Sequence, residues 1–178
     1  NAPTNTPPLK EMLSQFKKLE ETRQLLLQEA NTILVTSSAL MINGKALREV
    51  VSELKTMSNA DIDAELKQIK AIAKGTSQAN AWGAKISAIE ASIAGLGQLI
   101  KSINMRNLQQ AVGIALNYRQ GLDRYLNDLD RDEVDINTDT SLSAATQAKL
   151  KGDVARVRQM IVDEKDNLGI KDQEINDE

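Results

Sequence analysis

The sequence predicts an all-α fold: an elongated bundle of about three long helices with a smaller short-helical or irregular portion. Three observations predict it. The 178-residue chain carries no proline after Pro8, so nothing in residues 9–178 obliges a helix to stop. Apolar residues recur at alternating spacings of three and four, the period of one helix face. Aromatic residues make up only 2% of the chain, which fits thin aliphatic seams between long helices better than one bulky core.

The first helix is expected to start at Thr6–Pro7. A threonine hydroxyl can cap the open N–H groups, and proline at the first helical position loses no hydrogen bond. A seam then runs Leu9, Met12, Phe16, Leu19, Arg23, Leu26, Ala30, Ile33, Ser37, Leu40, Gly44, Leu47, Val51, Leu54. That heptad spacing predicts one continuous or gently kinked helix over residues 9–54, about 70 Å long. Gly44 is its weakest point, since a mid-helix glycine costs about 1 kcal/mol relative to alanine.

Ser58-Asn59-Ala60-Asp61 reads as a capping pattern for a second helix carrying Ile62, Leu66, Ile69 and Ile72. Gly75-Thr76-Ser77 is expected to end or loosen it. Residues 58–97 therefore form the smaller middle portion. Ile86, Ile89, Ile93, Leu96, Ile100 and Ile103 restore the helical spacing. The phase slips at residues 104–107, which predicts a stutter, kink or turn. Leu108, Val112, Ala115, Arg119, Leu122, Leu126 and Leu129 carry the next seam. Residues 128–140 read as an acidic, irregular connection. Thr140 or Ser141 is the expected cap of a last helix whose seam is Leu150, Val154, Val157, Ile161, Leu168 and Ile175. The organisation expected is a single helical domain over residues 1–178, with a flexible lead at 1–8 and a frayed tail at 170–178.

Composition narrows the function. There is no His and no Cys, which removes the residues most used for acid–base, thiol and soft-metal chemistry near neutral pH. The expectation is a chain that is not an enzyme, with no catalytic, cofactor-binding or metal-binding residue and no cofactor. With 22 basic and 25 acidic residues and a net charge of −3, no nucleic-acid footprint is expected. No apolar run is long enough for an integral membrane span. Residues 1–8 read either as a lead left after cleavage of an export signal or as a trimmed start.

Several segments carry competing readings. Asp128, Asp130 and Asp132 have the one-three-five spacing of a calcium loop. Glu133 stands where the turn glycine belongs, however, and Asp139 where a bidentate glutamate belongs, so an acidic solvated loop is the other reading. Asp163, Glu164, Asp166, Glu20 and Glu21 read as solvated helix faces, because a di-iron bundle site needs histidines. Arg23 and Arg119 at seam positions read as side chains reaching out from the bundle edge, or as polar residues that set register. Trp82 reads as a binding residue at a tip or as a plug at the end of the bundle. Residues 81–100 read as core rather than as a membrane-inserting hairpin.

The long seam of residues 9–54, the segment Leu66-Lys67-Gln68-Ile69-Lys70-Ala71-Ile72-Ala73-Lys74-Gly75 and the last helical region at 140–166 resemble the minor pilus component of type IV secretion and conjugation systems. The resemblance is architectural and covers most of the chain. It implies a periplasmic or cell-surface structural or adhesion protein. Its partners would be pilus or assembly subunits or a host-cell surface; a homo-oligomer is the expectation of the needle-tip-like alternative. The alternatives are a phage or type III needle-tip-like structural protein, and a helical pore-forming protein.

Overall fold

The structure is a computed structural model and describes residues 8–177. The fold is all-α. Five helices run in the order α1 (Leu9–Thr36), α2 (Leu47–Leu54), α3 (Asn59–Lys101), α4 (Leu108–Thr138) and α5 (Ala144–Asp177). A two-residue hairpin, β1 (Met41–Ile42) and β2 (Lys45–Ala46), lies between α1 and α2. The chain divides into two compact units, Asn1–Lys74 and Gly75–Glu178. The expected start at Thr6–Pro7 and most of the expected lead at residues 1–8 lie outside the described residues.

In the first unit the helix expected over residues 9–54 is two helices. α1 ends at Thr36, where the Ser37 N–H bonds to the Ile33 carbonyl at 2.8 Å. Asn43 and Gly44 have φ of 51° and 85°. Positive φ at both central residues matches the right-handed twist of a two-residue hairpin, and Asn-Gly adopts it at least cost. Met41 pairs with Ala46 and Ile42 with Lys45. The Leu47 N–H then closes on the Leu40 carbonyl at 3.0 Å. The three-four count survives across Gly44 because Ser37, Leu40 and Gly44 fall on those numbers without being helical. Leu40, Ile42, Leu47, Val51, Leu54, Ile62, Leu66 and Ile69 close around Ala30 as the core of this unit.

α3 opens at the predicted cap, with the Ser58 hydroxyl accepting the Asp61 N–H at 3.2 Å. It does not loosen at Gly75. The segment expected to be short-helical or irregular is one continuous helix from Asn59 to Lys101. Gly75 is there for space: a Cβ on it would lie 2.6 Å from the Ser141 carbonyl oxygen. The predicted slip at 104–107 is a real turn, closed by Asn107, whose side chain accepts the Gln110 N–H at 3.1 Å.

In the second unit α3, α4 and α5 pack together as an up–down–up bundle. Lys85 meets Asp132 and Leu96 meets Gly121, so α3 and α4 run antiparallel. Arg158 meets Asp130 and Glu164 meets Tyr118, so α4 and α5 do too. Ile86, Ile93, Tyr118, Leu122, Leu129, Ile136, Val154, Val157 and Ile161 fill the middle. The connection expected over residues 128–140 is helical through Thr138, because Leu129, Asp132 and Ile136 share one buried face. The cap of α5 is Ser143, not Thr140 or Ser141; its hydroxyl accepts the Thr146 N–H at 3.1 Å. α5 continues to Asp177, and Ile175 packs against the core.

Gly44→Ala is expected to lower stability by about 1 kcal/mol, because alanine strains at that φ. Urea unfolding followed by circular dichroism measures it, and an unchanged midpoint would count against the turn as a constraint.

Candidate functional site

The chemically suggestive acids of residues 128–139 do not converge. A helix turns 100° per residue, so Asp130 and Glu133 share one face and Asp132 points away from them. Asp130 and Glu133 each accept from the Arg158 guanidinium, at 2.7 and 2.6 Å. Asp132 turns inward and is 1% exposed. Among the described residues no group of three or more Asp or Glu could hold a metal ion.

Asp132 is the buried carboxylate of the second unit. Lys85 reaches its Oδ1 at 2.8 Å from α3, while Oδ2 has no hydrogen-bond partner. The Lys85 ammonium also lies 5.3 Å from the centre of the Trp82 ring, a cation–π distance. Trp82 itself is half-buried against the bundle core. Its Nε1–H donates to Asp139 Oδ2 at 3.1 Å. Asp139 Oδ1 in turn accepts from the Ser141 N–H at 3.0 Å and the Ser141 hydroxyl at 2.5 Å. Gln147 Nε2 donates to the carbonyls of Ile136 and Asp139, at 3.1 and 3.3 Å. Trp82 is thus a plug that pins the α4–α5 turn to α3. The Gly75 gap lets the turn come close enough to be pinned.

Lower in the same bundle, the Tyr118 hydroxyl donates to Glu164. Glu164 therefore leaves the set of solvated acids in which its sequence position placed it. Burial, and then the hydrogen bond to Glu164, push the Tyr118 phenol above its ordinary value of 10.0. Arg119 is half-exposed and pairs with Asp172 at the α4–α5 edge, as the outward reading predicts. Arg23 does the opposite of the outward reading. Its guanidinium donates to the carbonyls of Met57 and Lys55 at 2.6 and 2.5 Å, and to Asn59 Oδ1 at 3.3 Å. Asn59 Nδ2 returns a bond to the Leu19 carbonyl at 3.0 Å.

The site that sequence reasoning missed is on α1. Leu9, Met12, Leu13, Phe16 and Leu19 are each 50% to 70% exposed. On a helix they fall within a 120° arc, by the 100° step per residue. The same face, continued through Leu26, Leu27 and Ala30, is the one that packs in the first unit. Cover begins at Arg23 and Asn59, so the earlier turns are left bare. The heptad count registers the stripe, but no count of one strand of a seam reveals whether a partner lies opposite.

Residues 81–100 hold their isoleucines inward, with Ile86, Ile89, Ile93 and Ile100 buried in the bundle. Among the described residues no helix is long and apolar enough to cross a membrane. An open groove along α1 beside Gln24, Leu27, Gln28 and Val35 measures about 530 Å³, and two grooves beside α5 about 250 Å³ each. Comparisons of the chain with protein-family profiles, curated proteins and solved structures give no match.

Lys85→Met is expected to destabilise the chain by about 2 kcal/mol, since it strands the buried Asp132; the half-exposure of Lys85 keeps the figure below that of a fully buried pair. Adding Asp132→Leu to it should recover most of the loss in urea unfolding. A double variant no better than the single one contradicts the pairing.

The folded chain holds the Tyr118 proton more tightly than the unfolded chain does. Its contribution to stability is therefore complete below pH 10.0 and is lost as the pH rises above that value. In a Tyr125→Phe chain, phenolate absorbance should stay flat well past pH 10.0 until unfolding begins. Ionisation with the fold intact at that pH would contradict the burial argument.

Proposed function

We propose that this chain is a non-enzymatic assembly or adhesion protein that works in the periplasm or at the cell surface, as a minor pilus component of a type IV secretion or conjugation system does. The observation that carries the reading is the bare apolar stripe on α1. Five large apolar side chains in one 120° arc form a contiguous patch rather than scattered single exposures, and patches of this kind are often contact surfaces. The polar side chains support the reading from the other side. Arg23, Lys85, Asp132, Asp139, Tyr118 and Glu164 are engaged in holding helices together. The architectural resemblance of residues 140–166 to that pilus component supports the reading as well, whereas the long helix expected over residues 9–54 is interrupted by the hairpin between α1 and α2. The partners in this reading are protein: assembly subunits or a target-cell surface.

The test is deletion of the gene in the organism that makes the chain, followed by complementation with wild type and with Phe16→Glu. Phe16 lies outside the core of its unit, so the variant should fold to the wild-type level. The expected outcome is recovery of the wild-type chain from the periplasmic or surface fraction, and loss of surface assembly with the variant. A wholly cytoplasmic chain, or full assembly by Phe16→Glu, contradicts the proposal.

A further inference from the structure

The stripe on α1 also carries information about what covers it. We infer that its occupant is a second copy of the same stripe, laid antiparallel across it about a two-fold axis. The inference rests on reading the stripe as a contact surface and names the partner.

Area is the first argument. At 50% to 70% exposure, the five side chains leave roughly 500–600 Å² of each chain in water. Two copies face to face remove roughly 1,000–1,200 Å², at the lower edge of what a specific interface needs. That predicts a weak, concentration-dependent dimer rather than an obligate one.

Register is the second. Leu9 and Phe16 occupy one seam position, and Met12 and Leu19 the other. Run antiparallel, Leu9 meets Leu19 of the copy and Met12 meets Phe16 of the copy. Both layers fit a single axis, which passes level with Ser14. Leu13, on the flank, then comes beside its own copy. The stripe is self-complementary without a shift, and a two-fold contact requires that.

Charge is the third. Lys10 lies just outside the Leu13 edge of the stripe and Glu20 in line with the stripe at its C-terminal end, and both are exposed. Neither makes an ion pair among the described residues. The antiparallel register brings Lys10 of one copy within about two residues of Glu20 of the other, twice by symmetry. A parallel pair would set Glu20 beside Gln15 and gain no ion pair.

The cover on α1 fits the same geometry. Arg23 and Asn59 occupy this face just past Leu19, so the second copy has about 15 Å of bare helix to lie on, the length of the stripe itself.

Sedimentation equilibrium on the full chain tests the inference. The expected result is a monomer–dimer equilibrium, with Phe16→Glu weakening association tenfold or more and leaving the helical signal and unfolding midpoint of the monomer unchanged. Lys10→Glu and Glu20→Lys should each weaken it about threefold, and the two together should restore it. The chain has no cysteine, so single-thiol variants report orientation. Leu9→Cys should cross-link to Leu19→Cys and not to itself.

A chain that stays monomeric up to about 1 mM overturns the inference, as does a dimer indifferent to Phe16→Glu. Self-linking of Leu9→Cys in preference to Leu19→Cys overturns the antiparallel arrangement. A monomeric chain whose Phe16→Glu variant still fails to assemble on cells sinks the second copy as occupant and leaves the stripe as a contact surface for another protein.

Discussion

The first unit depends on one side chain. The last carbonyls of a helix have no partner within it; in α2 they are met locally, Ser52 by the Lys55 N–H, Glu53 by the Thr56 N–H and hydroxyl, and Leu54 by the Met57 N–H. Arg23 crosses from α1 to the turn that follows α2, donating to the carbonyls of Lys55 and Met57. Asn59 then ties the start of α3 to the Leu19 carbonyl. These bonds set the level on α1 at which the α2–α3 turn closes. Everything C-terminal to that level has a core to pack into. Everything N-terminal to it, Leu9 to Leu19, has the same apolar character and no cover. The working surface proposed for this chain is thus the remainder left by a structural hydrogen bond.

The second unit solves a different problem. Three helices with aliphatic seams at three-four spacing have nearly equivalent packings one heptad apart, because Ile, Leu and Val interchange at little cost. Directional contacts separate them. Lys85 to Asp132 and Trp82 to Asp139 fix α3 against α4 and the following turn. Arg158 to Asp130 and Glu133, and Tyr118 to Glu164, fix α4 against α5. Slipping by a turn would leave Asp132 buried without its cation, a penalty of about 2 kcal/mol. The acids that resembled a calcium loop are therefore register marks.

The sequence carried the all-α class plainly, because long runs without proline and a sustained helical period leave few other folds. The seam residues of α3, α4 and α5 and the cap at Ser58 were legible for the same reason. The breaks were less so. Residues 37–46 keep the helical count by coincidence, and Asn43-Gly44, the strongest short hairpin signal in the chain, was outweighed by it. Gly75 read as a helix end because its role is to admit Ser141, a residue 66 positions away, and local patterns hold no such information. Asp132 and Glu164 read as solvated for a similar reason: their partners, Lys85 and Tyr118, lie on other helices. The bare stripe of α1 was visible as a seam and invisible as bare.

The central claim is that α1 divides at Leu19–Arg23 into a bare half and a packed half. Helix that lacks a packed face is held only marginally by its own hydrogen bonds and opens readily. Amide hydrogen exchange along α1, followed by mass spectrometry at low and high chain concentration, measures the division directly. The account predicts fast exchange over residues 9–19 and strong protection over residues 26–36 in dilute chain, with protection of the first segment rising as concentration rises. Equal protection of both segments at the lowest concentration would contradict it, since the stripe would then already be covered within a single chain.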